Sequence, residues 1–340
     1  MIPLTESDGQ SQGWQNSLSR SITDLGTLLS RLQLSEADLP ETVLRDPRFP
    51  LKVPESFLRR IRSQDPNDPL LKQILPYQSE TNPVSGYHLD PVGDLHANAQ
   101  SSIIHKYHGR ALLLTSGACA IHCRYCFRQH FPYQDNRLTD THLSNALDYF
   151  RNTPSLSEVI LSGGDPLIIS DARLKSLIEQ IDAIEHIKRV RIHTRLPVVL
   201  PDRVTGELIN TLSQCRVKTV VVIHCNHPQE INQEVQDALA KFHRAGIHLL
   251  NQSVLLRGIN DQTNTLVELS ERLFSVNVLP YYLHLLDKVQ GAAHFDVDEL
   301  TASKLIGQAT QRLPGYLVPK LVKEQAGRCS KSPITPLISK

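Results

Sequence analysis

Cys119, Cys123 and Cys126 fall at C-x3-C-x2-C spacing within GACAIHCRYCFRQH. Thiolates at these offsets can wrap one face of a compact soft centre, since sulfur binds zinc and iron-sulfur clusters alike. With His122 or His130 as a fourth ligand, the set suits a structural zinc ion. Used alone, three thiolates suit a [4Fe-4S] cube with one open iron, where a small molecule can chelate. Against zinc, no second ligand pair stands at finger-like separation, and Cys215, Cys225 and Cys329 are scattered. Six cysteines in 340 residues are too few and too clustered for a disulfide framework, so a reducing, cytoplasmic compartment is expected.

The loop carrying the three thiols follows the first of six aliphatic or β-branched runs, at 111–115, 158–162, 189–194, 219–224, 247–254 and 278–284. After a first interval of 47 residues their starts recur every 28 to 31. That is the length of a βα unit, in which a buried parallel strand reads as a continuous apolar run. Six units in series make either a doubly wound open sheet or a complete or partial barrel. Polar residues at the ends of the later runs favour the barrel: Gly163, Gly164 and Asp165, then His193 and Arg195, His224 and Asn226, Asn251 and Gln252, and His284. In a barrel those ends converge on one face. Ordinary loop polarity explains one such end more readily than five. Residues 1–100, with about half of the 21 prolines and no cysteine, read as a helical, loop-rich N-terminal region. The expected order is therefore this region, a barrel over 101–300 and an extension over 301–340.

Thirty-six Lys and Arg against 35 Asp and Glu leave a formal charge of +1, so nucleic acid and anionic membrane are not expected partners. No apolar run approaches the roughly 18 residues that span a bilayer. The opening MIPLTESDGQ lacks the basic and apolar regions of a secretory signal.

With Tyr125 before Cys126, the spacing becomes C-x3-C-x-aromatic-C, which resembles the signature of the radical S-adenosylmethionine superfamily. The resemblance implies a partial (β/α)6 barrel, a [4Fe-4S] cluster on Cys119, Cys123 and Cys126, and S-adenosylmethionine chelating the open iron. Gly163, Gly164 and Asp165 resemble the superfamily's glycine-rich motif that contacts the methionine amine, although a lone GGDP is more often a turn. HKYHGRALLLTSGACAIHCRYCFRQHFPY, ILSGGDPL, RIHTRLPV, HCNHPQE, NQSVLLRGIND, PYYLHLLDKVQGAAHF and GYLVPKL further resemble lysine 2,3-aminomutases, from about residue 53 to 331. The likeness is to those members that supply (R)-β-lysine for modification of elongation factor P. It implies pyridoxal phosphate as a second organic cofactor, a reducing electron donor, and a functional link to an elongation factor P lysyl-transferase.

Carried over residue by residue, the resemblance implies that Lys331 holds pyridoxal phosphate as an imine, with Lys320 the alternative, and that Lys106, Tyr107 and Arg110 bind its phosphate. It places Arg128 on the substrate carboxylate, Asp287 and Glu324 on the remote ammonium, and His224 and Gln252 near the adenosine and sulfonium. Each alone would more often be a solvated or packing residue. Lys106 stands where relatives have Arg, Glu324 where they have Asp, and Gly327 to Ser330 depart from the usual glycine-rich stretch. Gln262 after Asp261 and the nine residues following Lys331 leave out the cysteines that bind an interface zinc in catabolic members, so no such zinc is expected. The alternatives are an aminomutase for another amino acid, such as glutamate, and a non-catalytic zinc or iron-sulfur binding module.

Overall fold

A computed structural model describes residues 8–338, with side chains from residue 13. The first seven residues, on which the signal-free expectation chiefly rests, lie outside the described residues.

Ten strands follow one another across a single sheet in chain order. They are β1 (Asn98–Gln100), β2 (Ile103–Tyr107), β3 (Arg110–Ser116), β4 (Glu158–Gly163), β5 (Arg189–Thr194), β6 (Lys218–His224), β7 (His248–Val254), β8 (Leu279–His284), β9 (Lys320–Lys323) and β10 (Ser332–Pro333). From β3 to β9 every neighbouring pair is parallel, while β1, β2 and β10 are antiparallel additions at the two edges. The six expected runs are β3 to β8, within a residue or two at each end. The expected extension supplies a seventh parallel strand, β9, whose four residues are too few to show a period.

A parallel strand needs a crossover on its face, and the helices supply it: α5 (Asp140–Arg151), α6 (Asp171–Asp182), α7 (Leu196–Val199), α8 (Gly206–Ser213), α9 (Gln233–Arg244), α10 (Thr263–Ser275) and α11 (Glu299–Thr310). Most begin at a residue suited to the N-cap. Thr139, Ser170, Thr205, Asn232 and Asp298 each accept a hydrogen bond from a backbone N–H in the first turn, worth about 1 kcal/mol apiece. Between helices and sheet lie Leu147, Phe150, Leu174, Ile178, Leu208, Leu239 and Phe242, all buried.

The N-terminal region carries α1 (Asp8–Ser19), α2 (Leu25–Arg31), α3 (Glu55–Leu58) and α4 (Pro69–Lys72) and packs on the barrel wall. The Ser56 hydroxyl donates to the Val199 carbonyl (2.7 Å), the Arg60 guanidinium to Val198 (2.6 Å), and Arg203 stacks over Trp14 at 4.7 Å.

Candidate active site

The barrel encloses a cavity of about 580 Å3, within the range of small-molecule sites. All fifteen residues expected from sequence line it. Because the strands are parallel, Cys119, Cys123 and Cys126 follow the C-terminal end of β3 whereas Arg110 begins it. The cavity therefore has a thiol end and a cationic end separated by roughly 20 Å, the length of a seven-residue strand.

At the thiol end, the loop after β3 is held from below by the N-terminal region. Lys52 donates to the Cys119 carbonyl (2.8 Å), the Arg124 N–H to the Gln73 carbonyl (2.9 Å), and the buried Arg124 guanidinium grips Glu80. The alternative zinc ligands are turned away: His122 bonds Pro50 O (2.6 Å) and stacks on Phe49, and His130 bonds Gln290 O (3.1 Å). Neither lines the cavity. Among the described residues no three His, Cys, Asp or Glu side chains gather tightly enough for a single metal ion. Three thiols edging one wall match a wider body with soft ligation. Burial pushes the Cys119 and Cys126 thiols up, Cys126 to about 11, so binding a cationic centre there displaces protons.

The Gly-Gly-Asp turn after β4 closes over the same loop. Gly163 has φ +123°, and a Cβ there would lie 2.3 Å from Ser116 O; one on Gly164 would lie 2.3 Å from Ala118 O. Both glycines exist so that two backbones can touch, joined by the Gly164 and Asp165 N–H groups donating to those carbonyls (2.7 and 2.8 Å). Asp165 is not a free ligand. Its carboxylate accepts from Leu167 N (3.0 Å), Thr194 Oγ1 (2.7 Å), Arg195 N (2.7 Å) and Leu196 N (3.1 Å), tying the end of β4 to the end of β5.

The cationic end is built on the β2–β3 hairpin. Gly109, at φ +75°, makes the tight turn that pairs Tyr107 with Arg110 and sets Lys106, Tyr107 and Arg110 along one edge. Lys106 is engaged within the protein: its ammonium meets Asp94 (2.5 Å), Glu324 (3.2 Å) and Val92 O (2.7 Å). Asp94, which sequence reasoning missed, also takes Arg128 Nε (2.7 Å), leaving Arg128 Nη1 to donate to Ser162 (3.1 Å). Against the pull of burial, Arg128 and Lys106 lower the Asp94 carboxyl. Nothing in the sequence around Asp94 marks it, because its role comes from a loop folding across the barrel.

Glu324 likewise has partners within the protein, ion-paired to Lys331 and Lys106. Against burial, those two cations hold its carboxyl down at about 2. Asp287 differs. Among the described residues it has no cation within 4.0 Å, and burial, reinforced by the Glu324 charge, raises it to about 7. Arg110 is its counterpart at the other sign: among the described residues it alone of the cavity cations has no carboxylate within 4.0 Å, and it stacks on Tyr107 at 4.7 Å. Lys320 is exposed and does not line the cavity, so Lys331 is the tail lysine that faces it.

Three histidines line the cavity from the C-terminal halves of β5, β6 and β8. His224 and Gln252 bond at 2.6 Å across β6 and β7, while His193 Nε2 and His284 Nε2 are buried without a hydrogen-bond partner among the described residues. Burial lowers all three, His224 to about 3, so they face the cavity as neutral imidazoles. Asn251, the neighbour expected beside Gln252, points outward and clamps Cys225 (2.9 and 3.1 Å).

Residues 113–269 match the family model of the radical SAM superfamily. An L-lysine 2,3-aminomutase of Haemophilus influenzae is 43% identical over 95% of this chain and 96% of its own length. One of Escherichia coli is 44% identical over 95% and 94%. The chain belongs to the L-lysine 2,3-aminomutase family. A glutamate 2,3-aminomutase of Clostridioides difficile is more distant, 29% identical over 99% of this chain and 79% of its own length. Aminomutases of this family are isomerases that use a [4Fe-4S] cluster, S-adenosylmethionine and pyridoxal phosphate. This aminomutase's cavity fits that set: three thiols at one end, a guanidinium without a carboxylate partner among the described residues beside a phenol at the other, and orphaned imidazole nitrogens on its wall. No helix among the described residues is long and apolar enough to cross a membrane.

Proposed function

We propose that this aminomutase converts L-lysine to (R)-β-lysine by moving the amino group from Cα to Cβ. The observation that carries the reading is charge placement. Arg128 is held by Asp94, which shares Lys106 with Glu324, and Asp287, with no cation within 4.0 Å among the described residues, lines the same cavity in the field of Glu324. Lysine held through its α-nitrogen keeps one carboxylate and one distant ammonium, which this arrangement matches. A glutamate side chain would instead face two acids, and like charges in a desolvated site cost several kcal/mol.

When bound, the cluster and S-adenosylmethionine supply a hydrogen-abstracting 5'-deoxyadenosyl radical, and pyridoxal phosphate supplies the imine-forming aldehyde that delocalises the substrate radical. Cys119, Cys123 and Cys126 would hold the cluster, fed by a reducing donor. Gly163 and Gly164 would present backbone to the methionine, with His224 and Gln252 at the adenosine and sulfonium. Lys331 would hold pyridoxal phosphate once released from Glu324. Arg110 and Tyr107 would take the phosphate, with Lys106 completing the trio by exchanging a carboxylate for it. Asp94 would fix Arg128 so that its free edge meets the substrate carboxylate. The surrounding walls exclude water and oxygen from the radical.

The reading extends to supply of β-lysine for modification of elongation factor P in the cytoplasm, supported by the sequence likeness and by six unpaired cysteines. The test is formation of β-lysine from isotopically labelled lysine under anaerobic, reducing conditions, with glutamate and alanine as competitors. β-Lysine as product, with glutamate inert, is expected. Preferential turnover of glutamate would overturn the substrate assignment.

A further inference from the structure

Arg195 follows β5 and is fixed from three sides. Its backbone N–H donates to Asp165 (2.7 Å), its Nη2 to Glu230 Oε2 (2.9 Å) and Gln73 Oε1 (2.8 Å), and its guanidinium lies over the Phe57 and Tyr125 rings at 5.6 and 5.7 Å. Glu230 is wholly buried, and its other oxygen accepts from the N–H groups of Asn226 (2.8 Å) and His227 (3.1 Å). Nε is buried without a hydrogen-bond partner among the described residues, and Nη1 sits 2.6 Å from Cys123 Sγ and 2.5 Å from Tyr125 OH.

A buried ion pair adds little to stability over a packed apolar equivalent, so four groups aligning one guanidinium on one thiol need another reason. We propose that the Arg195–Glu230 pair is a fixed dipole whose positive end, hydrogen-bonded to Cys123, raises the reduction potential of the cluster and so eases entry of the electron that starts catalysis. This rests on the reading of Cys123 as a cluster ligand. Hydrogen bonds to cluster sulfurs and nearby net charge are the protein's means of setting that potential. A cation within hydrogen-bond reach stabilises the reduced cluster, which carries one more negative charge. Arg195 is thus a positioning residue acting through Cys123.

The test is an anaerobic redox titration, followed by electron paramagnetic resonance, of full-length protein reconstituted with iron and sulfide. The double variant Arg195→Gln with Glu230→Gln removes both charges at once and keeps the buried site neutral. It should titrate at a more negative midpoint by about 59 mV, the equivalent of tenfold weaker electron uptake in a one-electron couple. Glu230→Gln alone leaves the cation unopposed and should move the midpoint the other way. Equal midpoints in protein of equal iron content, or displacement of both variants in the same direction, would overturn the proposal. Failure of the underlying ligand reading shows itself separately, as full iron and sulfide retained by Cys123→Ala.

Discussion

Asp287 is a carboxylate whose surroundings oppose its charge: burial and Glu324 raise it to about 7. A lysine ammonium arriving beside it needs it ionised, so acidification through that value removes the anion and the ligand's counter-charge together. For the free enzyme, kcat/KM for lysine should therefore rise as pH passes upward through about 7, and Asp287→Asn should lose that limb of the profile. Loss of one charge-assisted hydrogen bond in a desolvated site costs about 2 to 4 kcal/mol, roughly 30- to 1000-fold in kcat/KM. Both cofactor spectra should persist in this variant. Glu324→Asp, which keeps the charge, should turn over lysine far better than Asp287→Asn does. Lys331→Ala should lose the visible absorbance of bound pyridoxal phosphate while keeping iron content, and Lys320→Ala should keep both. A borohydride-fixed pyridoxyl label mapping to Lys320 would refute that assignment. Each of Cys119→Ala, Cys123→Ala and Cys126→Ala should lose cluster iron and activity together, because the cavity wall offers no further thiol to substitute.

The turn after β4 shows how an element serves the site without touching chemistry. A methyl on Gly163 meets Ser116 O at 2.3 Å with φ at +123°. Gly163→Ala should therefore cost roughly 2 to 4 kcal/mol by overpacking and backbone strain, read as a lowered denaturation midpoint together with reduced cluster retention. Gly206→Ala, with open space around it and no positive φ, is the control and should change little. The parallel strands were legible in the sequence because burial on both faces writes an unbroken apolar run, and the thiol loop because ligand spacing is local. Residues carried over by resemblance reached the cavity together. What was not legible was made by distant pairing. Asp94 and Gln73 lie outside the segments that carry the resemblance, Glu230 closes HCNHPQE without a role attached to it, and the importance of all three comes from being buried against Arg128 and Arg195. The pairing of Lys106 with Glu324 was not legible for a related reason, since it joins charges more than two hundred residues apart in the chain.

At the scale of the molecule, residues 49–80 form the platform beneath the thiol loop through Arg124, Glu80, Lys52 and Gln73. Breaking a buried ion pair by deleting one partner costs about 3 to 5 kcal/mol. Arg124→Met should accordingly lower the unfolding midpoint and impair iron retention, with circular dichroism reporting the first and iron analysis the second. Normal iron content in this variant would show the loop to be self-supporting. The strands, moreover, sit in the sheet in the order in which they are synthesised. Cys126 leaves the ribosome about two hundred residues before Lys331, an interval of roughly 10 to 40 seconds at cellular rates of elongation. On the proposed assignments, all three cluster thiols therefore exist in the nascent chain while the lysine that would carry the vitamin-derived cofactor has yet to be made.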